Sequence, residues 1–151
     1  MKNIILLLSA FLTFMSCNAQ KKNSTSAEAK ASTKNLLQKI VLEEITRGRN
    51  QTVAYTATAK EVTINGKKTT EKMSSSEWEQ LRSLLSKINL KEIKNYPSPT
   101  TDRFFDGALA STIKITYNGE IYESQSFDSG RPPVQLAEFY KKIASVFTKT
   151  R

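Results

Sequence analysis

The chain has 151 residues, of which 38% are hydrophobic, so its length and composition suit one small domain. It contains no histidine and a single cysteine, which excludes an internal disulfide and argues against zinc, copper or haem sites of the ordinary type. Its formal net charge of +9 is spread along the chain without a basic helix or a stacking platform, so we expect no nucleic-acid binding. We therefore predict no metal, no cofactor and no catalytic residue, with a hydrolase based on Asp or Glu as the enzymatic alternative.

The first residues have the pattern of an export signal. Lys2 provides a positive charge, an apolar run follows over residues 4–15, and a small residue precedes the only cysteine, Cys17. This segment resembles that of a bacterial lipoprotein precursor, which implies a signal peptide over residues 1–16 and a lipid group on Cys17. Cleavage after Ala19 is an alternative that would release a secreted, soluble protein, and a retained N-terminal anchor is another.

The segment after the cysteine predicts a tether. Residues 17–35 are rich in Ser, Thr, Lys and Ala and show no apolar period, which is typical of disordered linkers. We expect a single folded domain over residues 36–151.

The first half of this domain predicts three strands and a helix. Residues 40–47 indicate a first strand, and apolar residues alternate with threonines and other polar residues over 52–64, which we interpret as a second strand. Asn65-Gly66 is a preferred pair for a tight hairpin turn, so residues 67–73 are expected to return as a third strand.

A helix is expected next, opened by a capping box. Either Ser74 with Glu77 or Ser76 with Glu79 fits the spacing of such a box. Its apolar stripe, which is expected to face the core, comprises Trp78, Leu81, Leu84, Leu85 and Ile88.

The second half repeats the same plan after a long loop without apolar period, residues 95–107. Residues 112–117 alternate as a strand, Asn118-Gly119 predicts a second tight turn, and residues 120–127 return. A last helix follows the prolines at 132 and 133, and its apolar positions are Leu136, Phe139, Tyr140, Ile143 and Phe147. We predict an α+β domain with one antiparallel sheet of about four to five strands, built from two Asn-Gly hairpins, and two helices packed on one face.

The long loop and the basic strand ends provide the candidate contact surface. The loop is stiffened by two prolines and places an arginine next to two phenylalanines, a combination that protein recognition favours. The predicted contact residues are Tyr96, Asp102, Arg103, Phe104, Arg131, Arg47 and Arg49.

Carboxylates near this loop could form an acid–base pair or hold a cation. Asp102 and Asp106 lie in it, and Asp128 follows the last predicted strand. A glycosidase pair requires carboxylates about 5–10 Å apart on either side of a sugar site, and nothing in the sequence imposes that geometry. Turn and cap roles are the simpler interpretation, because aspartate favours both.

The layout of elements is similar to that of one inhibitor family. N-terminal strands, a helix that starts Ser-x-x-Glu-Trp (Ser74 to Trp78), a strand pair and a final helix after prolines resemble emfourin-type inhibitors of thermolysin-like metalloproteases over about residues 40–147. The resemblance implies a protein partner, and because it lies in layout rather than in motifs it carries over no functional residue.

These observations favour a binding protein of the cell envelope. We expect an exported module, held at the periplasmic or outer face of a membrane through lipidated Cys17, that contacts an unknown envelope or extracellular protein, for instance as an inhibitor or protective protein. The alternative is an accessory protein that binds an anionic glycan or lipid through its basic surface.

Overall fold

The structure is a computed structural model, and it describes residues 36–149. The predicted signal peptide over 1–16, the lipidation site Cys17 and the predicted tether over 17–35 lie outside the described residues. Residues 36–149 form an α+β fold with a seven-stranded antiparallel sheet and two α-helices.

The strands follow the chain in seven segments: β1 (Leu37–Thr46), β2 (Arg49–Tyr55), β3 (Ala59–Ile64), β4 (Lys67–Lys72), β5 (Ala110–Tyr117), β6 (Glu120–Glu123) and β7 (Phe127–Asp128). The helices are α1 (Ser75–Leu85) and α2 (Ala137–Lys149), and short 3-10 helices span Leu90–Asn95, Asp102–Phe105 and Val134–Leu136. Six strands lie in the order β4-β3-β2-β1-β5-β6, and β7 pairs with the beginning of β5.

The predicted strand count was too low, and the first reason lies in residues 52–64. The chain reverses after Tyr55, so this segment forms two antiparallel strands rather than one. The Thr56 N–H donates to the Ala59 carbonyl at 2.9 Å, and the Thr56 hydroxyl oxygen accepts from the Ala59 N–H at 3.1 Å. A threonine side chain thus closes a turn that contains neither glycine nor proline, which removes the usual sequence signal for a reversal.

The second reason lies in residues 120–127, which do not return as one strand. The Ser124 N–H donates to the Ile113 carbonyl at 2.9 Å, and the Ser124 hydroxyl oxygen accepts from the Ile113 N–H at 3.0 Å. The serine side chain replaces a backbone acceptor at this point, so β6 ends before it and β7 begins after a short interruption.

Local sequence signals correctly located the two Asn-Gly turns and the start of the first helix. Asn65-Gly66 and Asn118-Gly119 both have positive φ, between 49° and 83°, and they join β3 to β4 and β5 to β6. The Ser74 hydroxyl oxygen accepts from the Glu77 N–H at 3.1 Å, which identifies Ser74 as the cap of α1.

The core lies between the two helices and one face of the sheet. Alternate residues of the central strands are fully buried on this face, including Ile40 and Leu42 of β1. The Tyr55 hydroxyl donates to the Ile143 carbonyl at 2.8 Å and so attaches β2 to α2. The buried helix residues that complete the core are Trp78, Leu81, Leu85, Phe139, Ile143 and Phe147.

The two ends of β1 lie at opposite ends of the sheet. At its start, the Leu36 carbonyl accepts from the Asn118 N–H at 3.3 Å, beside the β5–β6 turn. At its finish, Ile45 pairs with Ala110, the turn to β2 carries Arg47, and β2 begins at Arg49. We call this second end, where β7 also pairs with β5, the arginine end of the sheet.

Candidate functional site

A buried ion pair holds the long loop, residues 97–107, which we call the aromatic loop. The Asp128 side chain is 0% exposed and accepts from the backbone N–H groups of Asp102, at 2.7 Å, and Arg103, at 3.0 Å. Nη1 of Arg103 donates to Oδ1 of Asp128 at 3.0 Å, and only 9% of the Arg103 side chain is exposed. The same nitrogen donates to the Thr100 carbonyl at 2.7 Å. The loop is therefore fastened to β7 although it has little regular structure of its own.

The hydrogen bonds at this ion pair keep Asp128 ionised. Burial raises the pKa of a carboxyl group, but at Asp128 the hydrogen bonds from the Arg103 side chain and from the backbone of Asp102 and Arg103 outweigh it. Together they hold the pKa of Asp128 well below its ordinary value. The attraction to Arg103 is thus present at any pH near neutrality.

Two adjacent phenylalanines project from the fastened loop. Phe104 is 69% exposed and Phe105 is 83% exposed. Their backbone forms a short 3-10 turn, in which the Phe104 N–H donates to the Thr101 carbonyl at 3.1 Å. The guanidinium carbon of Arg103 lies 4.3 Å from the centre of the Phe104 ring, so the buried arginine also supports this ring from one side.

The aromatic loop also makes two exposed ion pairs. Arg131 pairs with Asp102, and Nε of Arg47 lies 3.8 Å from Oδ2 of Asp106. Asp102, Asp106 and Asp128 therefore each form an ion pair with a different arginine. This arrangement gives those carboxylates a role in holding the loop at the arginine end of the sheet.

The structure brings together most of the predicted contact residues. Asp102, Arg103, Phe104, Arg131 and Arg47 are joined by these ion pairs and by the cation–π contact. Tyr96 has another role, because its hydroxyl donates to the Asn89 carbonyl at 3.2 Å and its ring packs against the core. Arg49 lines a neighbouring cavity instead.

A buried carboxylate, Glu44 of β1, lies at the base of that cavity. It was not among the predicted site residues. The Glu44 side chain is 1% exposed, and its Oε1 accepts from the hydroxyls of Tyr140 at 2.6 Å, Ser111 at 2.9 Å and Ser129 at 3.0 Å. Its Oε2 accepts from the side-chain amide of Gln51. All four partners donate hydrogen bonds to this carboxylate.

The available sequence signal for Glu44 was its position within β1. It shares a strand face with Ile40 and Leu42, since alternate residues point to the same side of a sheet. A glutamate on a core-facing position must be provided with donors, and these come from β2, β5, α2 and the turn after β7. Burial and the hydrogen bond to Glu44 raise the pKa of Tyr140, so its hydroxyl keeps its proton.

The cavity itself has a volume of about 660 Å³ and opens between the arginine end of the sheet and α2. Its apolar wall consists of Leu109, Pro132, Ala137, Ala144 and Phe147. Arg49 and Lys141 also line it, and Nη2 of Arg49 donates to Oε1 of Gln51 at 3.0 Å.

No protein-family model, curated protein or solved structure matches this chain. Among residues 36–149, none of the helices is both long and apolar enough to cross a membrane. The same residues contain no group of three or more His, Cys, Asp or Glu side chains that could hold a metal ion.

Proposed function

We propose that this chain is an exported, lipid-anchored binding module that contacts another protein through the aromatic loop. The observation that carries this proposal is the pair of exposed phenylalanines, Phe104 and Phe105, on a loop fastened by the buried Arg103–Asp128 ion pair. Two neighbouring exposed phenylalanines form an apolar patch, and aromatic side chains are enriched at protein interfaces.

The fastened backbone favours tight contact. A loop that is already ordered loses little conformational entropy on binding, so more of the contact energy appears as affinity. Burying one phenylalanine contributes about 1.5–3 kcal/mol from its apolar area. Two such side chains make a centre for an interface, and the exposed ion pairs of Arg131 and Arg47 supply its polar rim.

Charge around the aromatic loop favours a protein over an anionic polymer. Arg47, Arg103 and Arg131 are each paired with an aspartate, so the three pairs are locally neutral. A polyanion site would instead present unpaired cations in a row. The glycan or lipid interpretation is therefore the weaker of the two proposals.

The position of the aromatic loop in the domain also supports a protein partner. The tether is expected to join the domain at Leu36, whereas Arg47 and the aromatic loop lie beyond the other end of β1. A strand of 10 residues spans roughly 33 Å. If the predicted flexible tether joins the domain at Leu36, anchoring through Cys17 leaves the phenylalanines accessible to an envelope or extracellular protein.

Site-specific photo-crosslinking in producing cells tests this proposal. A photoreactive phenylalanine analogue at position 105 should form a discrete adduct with one protein, and Phe104→Ala in the same chain should weaken it. The matched control places the analogue at Val134, which is equally exposed at 83% but lies outside the loop. Adducts with lipid alone, or the same protein adducts from both positions, would contradict the proposal.

The inhibitor role implied by the family resemblance is a narrower form of this proposal. It predicts that the purified protein abolishes the activity of a thermolysin-like metalloprotease at a one-to-one ratio, and that Phe105→Ala relieves the inhibition. Full protease activity in excess protein would remove the inhibitor role and leave the binding module.

A further inference from the structure

We propose that the cavity between α2 and the arginine end of the sheet binds a small amphipathic anion, with a carboxylate or phosphate head and an apolar body. This site is separate from the aromatic loop, and the proposal does not depend on that loop's partner. Its volume of about 660 Å³ falls within the usual range for small-molecule sites.

The accessible charges in the cavity are positive. Within residues 36–149, neither Arg49 nor Lys141 forms an ion pair, in contrast to the arginines around the aromatic loop. Arg49 uses one donor on Gln51, and a guanidinium has five. The remaining donors of Arg49 and the Lys141 ammonium are available for an anionic head.

The one carboxylate that lines the cavity, Glu44, is not available to bind a cationic ligand. Glu44 is 1% exposed, and four donors already occupy its oxygens. It acts on Arg49 indirectly, because Gln51 donates to Glu44 and accepts from Arg49. This relay orients the Arg49 guanidinium before any ligand arrives, which lowers the entropy lost on binding.

The wall of the cavity suits an apolar body. Ala137 and Ala144 lie on the same face of α2, with Lys141 between them, since residues three or four apart are neighbours on a helix. The two small side chains leave space beside Leu109 and Phe147, and the lysine places a charge next to that space. An apolar chain ending in an anion matches both features.

The experiment uses a photoactivatable analogue of dodecanoate added to membranes or medium that contain the full chain, followed by peptide mapping of the light-dependent adducts. Mapping separates cavity adducts from any acyl group on Cys17. We expect adducts on residues 129–148, and we expect excess dodecanoate to prevent them while acetate does not. An analogue with a trimethylammonium head should give none.

Variants sharpen this test. Arg49→Gln together with Lys141→Gln should reduce the adducts about tenfold, as expected for the loss of one to two charge-assisted hydrogen bonds. Ala144→Trp should fill the cavity and reduce them similarly, with folding checked by circular dichroism. Lys142→Gln is the matched control, because Lys142 lies on the same helix but donates to Gln80 at 2.8 Å outside the cavity.

The other possible results either support or overturn the proposed anion site. Competition by lysophosphatidylglycerol at lower concentration than dodecanoate would support the proposal and identify a membrane lipid as the source of the anion. Equal labelling of the double variant and the wild type, adducts spread along the whole chain, or equal labelling by the trimethylammonium analogue would overturn it.

Discussion

The hydroxyl oxygen of Tyr140 lies 2.6 Å from Oε1 of Glu44 and joins the last helix to the first strand. The same oxygen accepts from the Gly130 N–H at 2.8 Å, and Ser129 donates to Glu44 at 3.0 Å. The turn held in this way directly follows Asp128, the residue that fastens the aromatic loop. The base of the cavity thus supports the backbone on which the loop depends.

Removing the charge of Asp128 should destabilise the fold strongly. Asp128→Asn leaves the Arg103 guanidinium buried without its counter-charge, which typically costs about 3–5 kcal/mol of unfolding free energy. Urea denaturation measures this loss. Asp102→Asn is the matched control, because its partner Arg131 is exposed and such pairs contribute about 0–1 kcal/mol. Equal losses in the two variants would show that burial of the Arg103–Asp128 pair has no energetic effect.

Asp128 should also make folding sensitive to acid. Its pKa is lower in the folded chain than in the unfolded chain, so the folded state binds a proton there less readily. The stability from this group is complete above the unfolded pKa of about 4 and is lost as the pH falls below it. Unfolding free energies measured between about pH 7 and about pH 3 should fall more steeply for the wild type than for Asp128→Asn. Parallel profiles would contradict this assignment.

Tyr140→Phe tests the support beneath the loop. The variant removes one donor from Glu44 and leaves the Gly130 N–H without its acceptor, and an unmade buried hydrogen bond costs about 1–3 kcal/mol. Faster amide exchange at Gly130 should accompany the loss. Tyr117→Phe serves as control, because the half-buried Tyr117 hydroxyl makes no hydrogen bond within residues 36–149. Unchanged exchange at Gly130 would disprove the link to the turn.

Phe104→Ala combined with Phe105→Ala should separate binding from folding. Truncating exposed side chains usually changes stability by less than about 0.5 kcal/mol, whereas central interface residues cost more than about 1 kcal/mol of binding energy each. Affinity for the crosslinked partner and the urea midpoint measure the two effects. Ile121→Ala, which truncates a residue 69% exposed on β6, should change neither. A stability loss with unchanged affinity would make the aromatic loop a structural cover.

Cys17→Ala tests the anchor. Two acyl chains give stable membrane attachment, whereas a single chain gives only reversible binding, so the variant should leave the membrane fraction. Salt-washed membranes are compared with the soluble fraction by immunoblot. Retention of the variant in the washed membranes would refute lipidation as the means of attachment.

Local structure in this chain was predictable from local residues. The Asn-Gly pairs specify backbone with positive φ, and Ser74 satisfies the first N–H groups of α1, so neighbouring residues suffice to place both features. The apolar stripe of α1 likewise identified the buried Trp78, Leu81 and Leu85. The turn at Thr56 was missed because a side-chain hydrogen bond closes it without glycine or proline.

The candidate site was decided by tertiary structure. Arg103 and Asp128 are 25 residues apart, and only the pairing of β7 with β5 brings the aspartate to the loop. The order of residues places an arginine next to two phenylalanines, but an arginine in a loop is exposed or buried according to what packs beside it. The same holds for Glu44. Gln51 lies on the neighbouring strand, but the other three donors come from distant segments, and a buried polar group is stable only where the fold supplies its partners.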